Sequence, residues 1–134
     1  MSVRAIPLLV LAFILYNAVV LTMGPEALQN EIFRVHLLSG GDWSFTWGDF
    51  ILLVTLILLF IEIVKSTFTT TSTLIDHALS MVVFTGVVIE FLMVPQAATS
   101  VFFLILIAAL IDVIGGYTIG IRVARRDLNI GADH

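Results

Sequence analysis

Two carboxyl groups fall inside long apolar runs. Glu90 closes the run Met81-Val82-Val83-Phe84-Thr85-Gly86-Val87-Val88-Ile89, and Asp112 interrupts one that extends from Val101 to Ile114. An Asp at the centre of a membrane helix costs roughly 2.5–3.5 kcal/mol on an insertion scale. Such a group needs a reason to be there. It can hydrogen-bond to a neighbouring helix and fix its register, or it can bind and release a proton or cation. Both readings apply to Glu90 and Asp112. Asn17 places a further polar group in the first apolar run, and Ser80, Thr55 and Thr85 are candidates for lining a path. Two other acids have local explanations. Glu62 precedes Lys65 by three residues, which makes an i,i+3 pair at a membrane surface. Thr73-Leu74-Ile75-Asp76 has capping-box spacing, with Asp standing where Glu is usual.

Other chemistry is sparse. The chain has no cysteine, which excludes disulfides, thiolate catalysis and cysteine metal sites. Its three histidines, His36, His77 and His134, fall in separate segments and are poorly placed to share a metal or a haem. No phosphate-cradling glycine loop and no Ser-His-Asp arrangement is suggested. No basic run points to nucleic acid. We therefore expect neither an enzyme, nor a cofactor, nor a nucleic-acid partner.

The elements that must hold these residues follow from hydropathy. The 134 residues are 60% hydrophobic and 12% charged, with a mean hydropathy of +1.13. Soluble domains carry about 25% charged residues, and a chain this small has too much surface to hide so many apolar side chains from water. Lipid is the expected solvent. A spanning helix needs about 20 mostly apolar residues. Four such stretches run over about 6–23, 47–65, 74–94 and 99–121, followed by a tail at 122–134. The fold class read from this is all-α: a polytopic membrane protein, a four-transmembrane-helix bundle in a single membrane domain. The first stretch is too long for a signal-peptide core and lacks a small-residue cleavage site, so it is read as a retained helix.

The short turn at 95–98 makes helices three and four antiparallel neighbours. Counting along both from that turn puts Asp112 level with Ser80 or Met81. Glu90 then lies roughly 13 Å away along the membrane normal, close in depth to Asn17. Ala109, Asp112, Gly116 and Gly120 share one face of helix four. Small residues at that spacing let another backbone approach closely, so this face is expected to pack on protein.

The first linker carries its own pattern. Leu28, Ile32, Val35 and Leu38 recur at helical spacing after Pro25-Glu26, and Gly40-Gly41 stops the run. This predicts a short interfacial amphipathic helix over about 26–38. Trp43 and Trp47 follow, spaced with Phe45 by two, and are read as interfacial anchors.

Orientation follows from the basic residues. Arg4, Lys65, Arg122, Arg125 and Arg126 fall on one side of a four-span model and Arg34 on the other. Short Lys/Arg-rich loops stay in the cytoplasm, so both termini are expected there. Small size and short loops favour the bacterial inner membrane. The expected partners are the lipid bilayer and either further copies of the chain or a larger membrane complex.

Two functions remain. One is a structural or accessory subunit that assembles through its transmembrane helices. The other is a small proton- or cation-coupled transporter or channel using intramembrane carboxyls. In size and helix number the chain is similar to the small multidrug-resistance transporters. Those proteins rely on a Glu in the first helix, where this chain has only Asn17.

Overall fold

The computed structural model describes residues 7–67 and 73–132, without the side chains at 73, 74, 76, 120, 123, 124 and 127–132. The expected roles of Arg4, His134 and the Ser/Thr-rich linker lie wholly or largely outside the described residues. So do the side chains of Thr73 and Asp76, read above as a cap, and the surroundings of Gly120.

Helix α1 runs over Leu9–Met23. It ends at Gly24, whose φ of 86° suits a residue without Cβ, and Pro25 cannot extend it. A 3-10 turn at Pro25–Gln29 then buries Ala27 and Leu28. Here the structure corrects the sequence reading. The predicted interfacial helix over 26–38 does not form. After the turn the chain makes an antiparallel hairpin, β1 at Glu31–His36 and β2 at Asp42–Thr46. The apolar spacing in this stretch fits two periods. Leu28, Ile32, Val35 and Leu38 suit a helix, but Phe33 and Val35 also alternate with Arg34 and His36. Cross-strand aromatic pairing decides the outcome. Phe33 stacks on Phe45 at 4.8 Å and meets Trp43 edge-on at 5.8 Å, contacts that a lone helix could not make.

Thr46 ends β2 and starts α2, Trp47–Ser66. Its hydroxyl accepts the Asp49 N–H at 3.2 Å, and Asp49 accepts the Thr46 N–H at 3.1 Å. This reciprocal cap satisfies two donors that the helix start would otherwise orphan. Helix α3 covers Thr73–Met93 and stops before Pro95. A 3-10 turn at Pro95–Ala97 leads into α4, Ser100–Ala132. Thr99 caps α4 by accepting the Phe102 N–H at 3.2 Å. Helix α4 does not end near Arg122. It continues through the basic residues, so the predicted tail is a helical extension as far as Ala132.

The architecture is therefore helical, with four helices and one hairpin among the described residues. Two of the described segments are long and apolar enough to cross a membrane: Trp47–Ser66 and Ser100–Ile119. Helix α1 and the His77–Met93 part of α3 are apolar but shorter. Helix α4 is the hub, touching α1, α2 and α3. The helices alternate in direction. At one end, α1 finishes beside the α3–α4 turn and the hairpin base. At the other, α1 begins beside the end of α2. The larger core fills the hairpin end with Tyr16, Val20, Leu28, Ile51, Val87, Phe102 and Ile105. A smaller cluster of Leu9, Leu59 and Ala108 lies nearer the other end.

Candidate functional site

Four helices bring polar groups together at the end away from the hairpin. Pro7 and Leu8 lead into α1, and a helix start leaves backbone N–H groups unpaired. The Leu8 N–H donates to Glu62 Oε1 at 2.7 Å, across 54 residues of sequence. The same oxygen accepts from Lys65 Nζ at 3.3 Å. The predicted Glu62–Lys65 pair therefore exists, with its carboxyl turned into the protein. Glu62 is only 6% exposed. It acts as a cap supplied by one helix to another, which the i,i+3 spacing did not suggest.

Asp112, 5% exposed, faces Glu62 from α4 closely enough for the two to interact electrostatically. The Ser80 hydroxyl of α3 lies within hydrogen-bonding reach of the Asp112 carboxyl, at the depth that counting from the turn predicts. Lys65 is the cation facing both acids. One turn further along α4, Gly116 is buried between Ser66 and His77. A Cβ there would lie 3.4 Å from Ser66 Oγ and 3.5 Å from the His77 ring. His77 in turn meets Tyr117 edge-on at 5.2 Å. The Ala109–Asp112–Gly116 face thus packs on protein, and that protein is the chain's own α2 and α3.

The second polar group lies at the hairpin end. Tyr16, 1% exposed, donates its hydroxyl to the Gln96 carbonyl at 2.9 Å and sits 2.6 Å from Thr99 Oγ1. It ties α1 to the α3–α4 turn. Nothing in the sequence reading singled it out. The available signal was a lone phenol in an apolar run, which needs a partner when buried. Nearby, Asn17 is within hydrogen-bonding reach of the Glu90 carboxyl, while its amide also donates to the Phe13 carbonyl at 2.9 Å. Glu90 Oε2 is buried without a hydrogen-bond partner among the described residues.

Glu90 and Asp112 therefore belong to separate groups. The other suggested lining residues do not join them. Thr55 is buried and donates to the Ile51 carbonyl at 2.7 Å, whereas Thr85 is exposed and donates to Met81 at 2.8 Å. Trp47 opens α2 against Phe50, and Trp43 sits on the hairpin. Two of the clefts beside these groups are almost wholly apolar. One of about 200 Å³ lies between α2 and α4, bounded by Leu52, Leu56, Leu104 and Ile107. Another, of about 410 Å³, lies between α3 and α4 at His77, Met81 and Tyr117. Among the described residues, no three His, Asp or Glu side chains gather where they could hold a metal ion. The chain matches no protein-family model, no curated protein and no solved structure.

Proposed function

We propose that the chain is a four-span protein of the bacterial inner membrane, with both termini cytoplasmic, that serves as a structural or accessory subunit assembling through its transmembrane helices. The observation that carries this reading is where the polar groups go. Glu62, Asp112, Ser80, Tyr16 and Asn17 all turn inward and tie one helix to another. Large apolar side chains face outward on every helix, including Leu11, Leu21, Leu56, Phe60, Val82, Leu92, Leu104 and Ile114, and the exposed Thr22, Thr85 and Thr118 return their hydroxyls to their own helix backbone. Helices α1 and α3 each pack on α4, so an environment that suits α4 must also accommodate them. At 15 residues, α1 rises about 22 Å against a hydrocarbon core of about 30 Å. Flanking residues or local thinning of the bilayer can take up that difference.

Three measurements test the proposal. Reporter fusions at Asp42 and His134 should read outside and inside respectively, and an external C-terminal signal rejects the topology. Purification from native membranes should recover the chain with other copies or with partner subunits, whereas a solitary monomer rejects the assembly role. Glu90→Gln and Asp112→Asn should leave that assembly intact.

A second reading, a proton- or cation-coupled transporter or channel, draws support from one feature: two buried carboxyls, Glu62 and Asp112, facing each other with Lys65 beside them. Proton flux into vesicles holding the purified chain, lost in Asp112→Asn, would favour it. Flux equal to that of empty vesicles would remove it.

A further inference from the structure

The hairpin has two unlike faces. In its register Phe33 pairs with Phe45 and Val35 with Trp43, while Arg34 pairs with Ser44 and His36 with Asp42. One face therefore carries Val35 together with Phe33, Trp43 and Phe45, and the three rings lie 4.8–5.8 Å from one another. The other carries polar groups that pair with each other. Arg34 bonds Glu31 at 3.0 Å, and His36 meets Asp42 at 2.7 Å. A bulge produces this separation. The register shifts between Glu31 and Phe33, so Ile32 is an extra residue and Glu31 turns to the polar side instead of following Phe33.

The aromatic face is left open. Phe33 and Trp43 are 44% and 47% exposed, and Leu38 at the tip is fully exposed. A two-stranded hairpin is marginal in water unless its apolar face is covered, and its principal helical contact is α2, into which β2 runs. The base is pinned. The Trp47 N–H donates to the Asn30 carbonyl at 3.1 Å, and Leu28 is buried against α2. The hairpin therefore cannot leave the level at which α1 ends and α2 begins. At that level the apolar phase within reach is the one that covers Leu21, Met23 and Leu53 on the helices, all about half exposed or more.

We infer that the hairpin lies on the outer leaflet with Phe33, Trp43 and Phe45 against lipid and with Leu37 and Leu38 inserted below the headgroups. Tryptophan and phenylalanine at a membrane–water boundary suit this placement. The tip suits it too. Its backbone is closed by Leu37 N–H to the Gly41 carbonyl at 2.8 Å and Gly40 N–H to the Leu37 carbonyl at 3.0 Å, so insertion does not strand those donors. The aromatic face holds no charge, so the surface it fits is zwitterionic lipid and needs no anionic component. The inference rests on the four-span reading.

The absence of cysteine makes a clean test possible. Leu38→Cys, Arg34→Cys and Leu56→Cys, each in the full chain, are spin-labelled in phosphatidylcholine vesicles. Collision with oxygen, which concentrates in lipid, is compared with collision with a water-soluble nickel chelate. The expected result is that the label at 38 favours oxygen several-fold while the label at 34 favours nickel. A label at 38 that favours nickel means the hairpin stands in water and overturns the inference. A label at 38 shielded from both means protein covers the face, either a second copy or another chain, and also overturns it. The label at 56, mid-way along α2, separates the two readings. If it meets nickel, the membrane-spanning proposal fails. If it stays in lipid while 38 is in water, only the hairpin inference fails. A label-free check uses Trp47→Phe, which leaves Trp43 as the sole tryptophan. Brominated lipid should quench it more strongly than aqueous iodide, and the reverse order counts against the inference.

Discussion

Replacing Glu62 by alanine should cost far more than an exposed ion pair is worth. Glu62 is the acceptor for two donors, the Leu8 N–H at 2.7 Å and Lys65 Nζ at 3.3 Å. Hydrogen bonds to charged groups contribute about 1.5–3 kcal/mol net. Their loss also leaves the Leu8 N–H without an acceptor in a buried setting, where an unmade bond costs about 1–3 kcal/mol. These two figures overlap and should not be added. Two effects reduce the loss. The Lys65 side chain is 26% exposed and can extend toward the boundary. Asp112 also loses an unfavourable neighbour. The net expectation is about 2–3 kcal/mol for Glu62→Ala, and about 1 kcal/mol for Glu62→Gln, which keeps an acceptor for Leu8. Lys65→Ala should cost less than Glu62→Ala, because it leaves the cap in place. Reversible unfolding in mixed micelles measures all three, and hydrogen exchange at Leu8 should accelerate in Glu62→Ala but not in Lys65→Ala. If Glu62→Ala costs no more than Lys65→Ala, Glu62 acts only as an ion-pair partner and the capping argument is wrong.

Tyr16→Phe should destabilise the bundle by about 1 kcal/mol, and a double-mutant cycle with Thr99→Val should give a coupling of about 0.6 kcal/mol; zero coupling would show that the 2.6 Å contact carries no energy. Gly48→Ala should destabilise by about 1–2 kcal/mol, since its Cβ would lie 3.1 Å from both the Leu28 carbonyl and Val101 Cγ2. Gly86→Ala, with nothing within 4 Å, should be neutral or gain helix stability, so equal melting of the two variants would discount the close approach at Gly48. The hairpin should loosen in acid. The Ser44 hydroxyl and Arg34 hold the Glu31 carboxyl below its ordinary pKa of 4.5. That contribution is complete above the ordinary value and is lost as pH falls through the lowered one. Trp43 emission in Trp47→Phe should follow this transition, and adding Glu31→Gln should abolish it.

How much of this was legible depended on the range of each interaction. Helix positions were readable because they rest on local signals, such as the apolar run beginning at Trp47 and Pro95 closing α3. The level of Asp112 with Ser80 was readable because a tight turn converts counting into geometry. The hairpin was misread because two periods coincide between Leu28 and Leu38, and the deciding partners, Trp43 and Phe45, lie on another segment. Their spacing by two was visible, as was the Gly40-Gly41 turn, but an anchor role absorbed the signal. Thr46 and Asp49 carried the same capping spacing as Thr73 and Asp76 and were overlooked. The second role of Glu62, as a cap for Leu8, was missed for the opposite reason. Lys65 offered a sufficient local explanation, while Leu8 lies 54 positions away and leaves no trace in the neighbouring residues. The close approach at Gly48 was also missed, because Gly48 lies outside any small-residue repeat and its neighbours come from the 3-10 turn and α4.

The length of α4 has a mechanical consequence. Its 33 residues rise about 50 Å, some 20 Å more than a hydrocarbon core. Asp112 divides it unequally, leaving about 30 Å between that side chain and Ala132. The helix is thus a lever whose fulcrum is the place where all four helices exchange hydrogen bonds or charge. A tilt of about 5° there displaces the far end by about 2.5 Å, a distance on the scale of one hydrogen bond. A rearrangement among a few buried side chains would therefore reach the far end of this helix as a displacement of that size.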